Sequence, residues 1–266
     1  MDGSSTGRSA GWDDKGADPA CVVCRMVDES SSQNQDLDPA SLTIILLVTR
    51  ETIASNGASR YQVVGEPPLS GHMATSGPHT RFTDFYVPAE NLLVISTKAT
   101  DIIERTFGIS AALVGAMATG IMRTALSEAL DFARSDTRWG SKSIIHHQSV
   151  ADKLIDCKMR VNTSRLLTWK AAHDLDNDKL DWRDQLESAL HAKIYTSDTA
   201  VVCVLDTIKV VGISAYSKKT KFPSLLEDVI CYPLFDGGNV GVRRRQLEKI
   251  ISAKEYAVEP RIRNRL

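Results

Sequence analysis

The spacing of apolar residues changes near residue 97, and this switch constrains the fold more than any other feature of the 266-residue chain. Before it, short apolar runs (Cys21–Met26, Leu42–Val48, Tyr61–Val64 and Phe82–Val87) are separated by stretches rich in Gly, Pro, Ser and Asp. Runs of this length, rich in Val, Ile, Tyr and Phe, predict strands. Asp28–Pro39 reads as a polar hairpin loop, and Pro67-Pro68 and Ser76-Gly77-Pro78 read as turns. After residue 97 the spacing becomes helical. One series runs through Ile102, Ile103, Phe107, Leu113, Val114, Met117, Ile121, Leu126 and Leu130. A second uses Ile144, Ile145, Val150, Leu154, Ile155, Met159 and Leu166, and a third Leu186, Leu190, Ile194, Val201, Leu205, Ile208 and Val211. A shorter helix follows Asp236 and carries Val240, Leu247, Ile250 and Ile251. Long helices joined by short loops pack as a four-helix bundle. The expected class is therefore α+β, with a partial antiparallel β domain over residues 1–97 and an all-α four-helix bundle over residues 98–266. About four strands make a poor free-standing β domain. Either this is a small two-layer protein, or its sheet has partners upstream.

Charge and composition narrow the function classes. With 32 Lys+Arg against 33 Asp+Glu, the chain lacks the basic excess of a nucleic-acid binder or a membrane-surface protein. Five cysteines, an odd and sparse set, do not form a disulfide framework and point to a reducing compartment. The first twenty residues lack the apolar core of a secretory signal. The uncharged stretch from Thr106 to Met122 is expected to be a deeply buried helix. The terminal Asn264-Arg265-Leu266 differs at its first position from the peroxisomal Ser-Lys-Leu address. The expected location is intracellular, either cytoplasmic or peroxisomal.

Few residues outside the helical pattern suggest chemistry. Cys21 and Cys24 have CxxC spacing, but residues three apart in a strand face opposite sides, so a structural role is expected. His146-His147 reads as a surface pair at a helix start, and no HxxxH or HExxH pattern supports a metal. Arg243-Arg244-Arg245, with Arg261, Arg263 and Arg265, is read as a solvated helix face diluted by Glu248, Glu255 and Glu259. The most informative segment runs from Val229 to Arg245. Gly237-Gly238-x-x-Gly241 at a helix start could cradle an anion, although Pro233 and the lack of a βαβ unit weaken that reading. Asp236 could instead be a plain N-cap, or a catalytic base. Seven helical steps of roughly 100° return to within about 20° of the start. A helix beginning at Asp236 would thus place Arg243 on the same face, two turns on.

Longer motifs add a family likeness. They are Gly11-Trp12-Asp13-Asp14-Lys15-Gly16-Ala17-Asp18, Ala20–Arg25, Leu47–Glu51, Thr75–Phe82, Ser110–Met117, Ser149–Cys157 and Cys231–Asn239. On these, from Gly11 onward, the chain resembles the acyl-CoA dehydrogenase superfamily and, within it, the branch of the fungal nitroalkane oxidases. The resemblance implies an N-terminal helical domain, a middle β domain and a C-terminal four-helix bundle, with FAD between the last two. It also implies a homo-oligomer, usually a tetramer, in which one subunit's FAD contacts a neighbour's helices. Asp236 then takes the place of the carboxylate that removes the substrate's α-proton. Arg243 takes that of the arginine positioning it, and Ser110 that of the serine bonded near it and the flavin. FAD contacts are implied at Arg138, His147, Gln148, Asp206, Lys209, Leu234, Phe235, Gly237 and Gly238. The implied substrate is a small molecule, a nitroalkane or an acyl-CoA, the latter within fungal secondary metabolism.

The chain departs from the superfamily pattern in several places. The usual base is Glu where this chain has Asp236, and a common arginine is replaced by Ala111. Asp136-Thr137-Arg138-Trp139-Gly140 and Gly212-Ile213-Ser214-Ala215 differ from the usual flavin motifs. The N-terminal helical domain and opening strands of the family have no counterpart in these residues. A non-catalytic paralogue therefore stands as the alternative.

Overall fold

The computed structural model describes residues 19–27, 39–75 and 77–258. Gly11–Asp18, most of the Asp28–Pro39 loop, Ser76, Arg261, Arg263 and the terminal Asn264-Arg265-Leu266 lie outside the described residues. The chain divides into two compact units, one running to Glu104 and the other starting at Arg105.

The first unit holds two small antiparallel sheets. Strands β1 (Pro19–Arg25), β2 (Thr43–Thr49) and β5 (Leu92–Ile95) form one in the order β1-β2-β5, while β3 (Tyr61–Gly65) pairs with β4 (His79–Phe82) in the other. In β1 the exposed Cys21 and half-buried Cys24 alternate as strand geometry requires, with Cys21 opposite Leu47. The central strand β2 buries Ile45 and Val48. The short helix α1 (Arg50–Asn56) follows directly, started by Thr49, whose hydroxyl accepts from the Thr52 N–H at 3.2 Å. The expected strand over Phe82–Val87 is corrected. Only Phe82 is in a strand, and the chain turns at Asp84, where φ is 47°. Phe82 stacks edge-on against Phe85 with ring centres 5.1 Å apart.

The second unit is helical. Its long helices are α2 (Thr97–Ser135), which begins just before the unit boundary, α3 (Gln148–Leu175) and α4 (Trp182–Val211). The short helices α5 (Phe222–Ile230) and α6 (Arg244–Ile251) follow. Along α2, Ala118, Met122, Ala125, Ala129 and Ala133 form a buried seam at helical spacing. Alanine favours the helix and leaves room for close approach. At Gly115 a Cβ would sit 3.0 Å from the Thr168 hydroxyl of α3, a tight contact to which the Thr168 side chain would have to yield. The seam meets Leu154, Cys157 and Val161 of α3 and Ala200, Cys203 and Val204 of α4. The expectation that Thr106–Met122 is deeply buried needs correcting. Ala111, Ala112, Val114 and Ala118 are enclosed, but Phe107, Ile109, Leu113 and Met117 are exposed. Helix α2 and the stretch Trp182–Tyr216 have the length and hydropathy of membrane spans, with 50% and 39% of their most apolar windows buried. Those buried faces form the bundle's own core.

A candidate active site

The segment between α5 and α6 is the least regular part of the helical unit. Phe222–Ile230 is helical and Cys231–Phe235 forms turns. No helix starts at Asp236, which has φ 54°, followed by Gly237 at φ 73°. Aspartate tolerates this left-handed conformation better than most residues. Residues Asn239–Arg243 then form one π-helical turn that runs into α6. The N-cap reading of Asp236 is corrected too, since Gly238 occupies the cap position and makes no side-chain cap.

The reversal at Asp236 and Gly237 returns the chain so that Arg243 reaches back. The Arg243 side chain is 1% exposed and that of Asp236 9% exposed, so this guanidinium is not on a solvated face, although Arg244 and Arg245 are exposed. Arg243 Nε donates to the Asp236 carbonyl at 2.8 Å, and Nη2 donates to the Asp236 carboxylate at 3.1 Å and to the Phe107 carbonyl at 3.0 Å. Nη1 donates to Gln246 Oε1 at 3.0 Å. A buried guanidinium is tolerated when its donors are met in this way. Ser110 of α2 supplies the other contact, with its hydroxyl 2.7 Å from Asp236 Oδ1 and 3.0 Å from the Phe107 carbonyl. A hydroxyl has one proton, and the Phe107 carbonyl already accepts from Arg243, so the shorter contact to the carboxylate takes it. Each oxygen of Asp236 thus has one donor, from different elements.

The remaining candidates fall into two groups. Leu234, Phe235, Gly237 and Gly238 flank Asp236, with Leu234 69% exposed. Arg138, His147, Gln148, Asp206 and Lys209 lie toward the other end of the bundle. Arg138 donates to the carbonyls of Val210 and Val211 at 2.6 and 3.1 Å, closing the C-terminus of α4. Asp206 ties α3 to α4 through Arg160 at 2.6 Å, with Lys209 at 3.2 Å and Lys153 at 3.7 Å. Burial pushes its carboxyl up, but hydrogen bonds from Arg160 and Lys209 outweigh that and hold it below the usual range. His147 stands at the start of α3, with Gln148 as its first residue, and both are exposed. From Lys193, beside the Asp236 turn, to Val210 is roughly 25 Å along α4 at about 1.5 Å per residue. One copy of the chain therefore does not gather both groups into one site. Among the described residues, no cluster of three or more His, Cys, Asp or Glu could hold a metal.

One buried residue was invisible to spacing arguments. Lys193 of α4 has 0% exposure, and its ammonium donates to the Gly237 carbonyl at 3.1 Å and to Asn239 Oδ1 at 2.6 Å. Its only sequence signal is a lysine among Ala189, Leu190, Ser197 and Ala200, on helix positions that are all buried.

The sequence profile of the acyl-CoA dehydrogenase C-terminal domain matches residues 100–251. Nitroalkane oxidase of Fusarium oxysporum is 58% identical over 250 residues, covering 93% of this chain and 57% of that protein. This chain thus spans a little over half the length of that relative. A solved structure that addresses the roles of an arginine and an aspartate in the reaction of the flavoprotein nitroalkane oxidase is 57% identical and has a TM-score of 0.89. A second, an active-site Ser-to-Ala variant of nitroalkane oxidase crystallised with 1-nitrohexane, is also 57% identical, with a TM-score of 0.90. Each covers 93% of this chain and 58% of the solved one. In that enzyme the serine precedes the aspartate by 126 residues and the arginine follows it by seven, the separations of Ser110, Asp236 and Arg243 here. The chain belongs to the acyl-CoA dehydrogenase family, and residues 100–251 are its C-terminal domain.

Proposed function

We propose that this chain carries the catalytic carboxylate of an FAD-dependent oxidoreductase that oxidises nitroalkanes, with Asp236 as the base. The observation that carries the reading is the pair of contacts on its carboxylate, Ser110 at 2.7 Å on Oδ1 and Arg243 at 3.1 Å on Oδ2. A base must be fixed in place against its substrate, and these two contacts hold both carboxylate oxygens. Asp236 takes the proton from the carbon bearing the nitro group, and the electron pair left behind delocalises onto the nitro oxygens. Arg243 holds the carboxylate through Oδ2, while its other donors are taken by the Asp236 and Phe107 carbonyls and by Gln246. FAD, when bound, supplies the two-electron acceptor for the reaction.

The residues present fit such a cofactor as two half-sites. Beside the base, exposed Leu234 and half-exposed Phe235 offer an apolar ledge next to the Gly237-Gly238 backbone. At the far end of the bundle, Lys153, Arg160 and Lys209 gather around Asp206, with Arg138 at the end of α4, and cations of this kind suit a diphosphate. Their separation supports a homo-oligomer in which the second group serves the flavin of a neighbouring copy. The proposed location is intracellular.

Titrating the purified chain with FAD while recording its visible spectrum tests this reading. Saturable binding with a perturbed flavin band is expected, and its loss in an Arg138→Ala variant would place that residue in the cofactor site. A chain that leaves FAD unperturbed at saturating concentration contradicts the proposal.

A further inference from the structure

The turn that carries Asp236 is held from two sides, and only one is the arginine. Asp236 and Gly237 both have positive φ, so they lie outside any regular hydrogen-bonded element. The Gly237 carbonyl, one peptide beyond the carboxylate, accepts from Lys193 at 3.1 Å. Asn239, 1% exposed, accepts from the same ammonium at 2.6 Å and donates to Ser197 at 2.9 Å and Asp198 at 2.8 Å. Lys193, Ser197 and Asp198 all belong to α4. A buried ammonium costs more than an apolar side chain of the same shape. Here its bonds go to the turn beside Asp236, not to the helix core.

We propose that Lys193 is a positioning residue, fixing the Asp236 carboxylate by tying the Gly237 carbonyl and Asn239 to α4. The proposal rests on Asp236 as the base. It divides the work between two buried cations. Arg243 sets the carboxylate's orientation within the turn, while Lys193 sets where the turn stands on the bundle. The charges facing the ammonium are Arg243, Asp236 and Asp198. Burial, followed by Arg243, lowers the lysine to about 8, while Asp236 and Asp198 act in the other direction.

Two readouts on the FAD-loaded chain test this, with Lys193→Met as the near-isosteric variant. The first is amide hydrogen exchange in peptides covering residues 234–243. Exchange there is expected to rise at least tenfold in Lys193→Met, with peptides from α2 and α3 unchanged. The second is turnover of nitroethane against its preformed nitronate, which needs no base. The nitroethane rate is expected to fall at least tenfold and the nitronate rate to hold. Asn239→Ala cuts the same tether from its other end, and the double variant is expected to lose no more than the worse single variant. That variant carries the test should Lys193→Met fail to fold. Unchanged exchange in the turn, or equal losses on both substrates, would overturn the proposal. Failure of the base assignment itself would show separately, as full nitroethane turnover in Asp236→Asn.

Discussion

Arg243 grips Asp236 twice, at its backbone carbonyl and at its carboxylate, although the two residues share no helix. The chain reverses through a left-handed aspartate and a left-handed glycine, and the arginine closes the loop from the first turn beyond. Geometry of this kind is sensitive to the small residue inside it.

Gly237 is that residue. A Cβ there would lie 2.8 Å from Arg243 Nε, and its φ of 73° is strained for any other residue. Gly237→Ala is expected to lower stability by on the order of 1–3 kcal/mol and to displace the guanidinium. Urea unfolding and nitroalkane turnover check this together. A variant as stable and active as the parent would show that the turn tolerates a side chain.

Asp206 gives an acid-side expectation. Its carboxyl sits below its unfolded value, so its contribution is complete above the unfolded pKa and disappears as pH falls through the folded one. Asp206→Asn is expected to be less stable than the parent near neutrality and to show a shallower loss of stability on acidification. Denaturation midpoints between neutral and acidic pH would report the difference.

Lys193 gives a slope of the same sign, in the alkaline range. Its folded value near 8 lies below the ordinary 10.5, so between those values the unfolded chain holds a proton that the folded chain has released. Stability therefore rises with pH across that window, by a few kcal/mol at most. The rise is expected to be absent in Lys193→Met, and comparing urea midpoints of the two chains from pH 7 to 10.5 would show it.

The three long helices were legible because their apolar residues recur every three or four positions over many turns. The short elements were not. Helix α1 is seven residues long and polar outside Ile53 and Ala54, and its one signal is the Thr49 cap. Strand β5 is four residues long, too short for periodicity to speak. Helix α5 hides between Pro223 and Pro233, where an apolar run fits a strand equally well. The face shared by Asp236 and Arg243 was expected from a helix that does not form, and their contact arises through a reversal that spacing cannot reveal. Ser110 stands 126 residues from Asp236, a pairing that only the family resemblance suggested. Lys193 carried no motif, and its burial is decided by the packing of the turn against α4.

Asp236 is proposed to take the proton from the carbon bearing the nitro group. Comparing nitroethane with its nitronate in the FAD-loaded chain and in Asp236→Asn tests it most directly, because the nitronate has already lost that proton. Asp236→Asn is expected to lose about 10²–10⁴ in rate on nitroethane while oxidising the nitronate as the parent does. Equal loss on both substrates, or undiminished turnover of nitroethane, would contradict it.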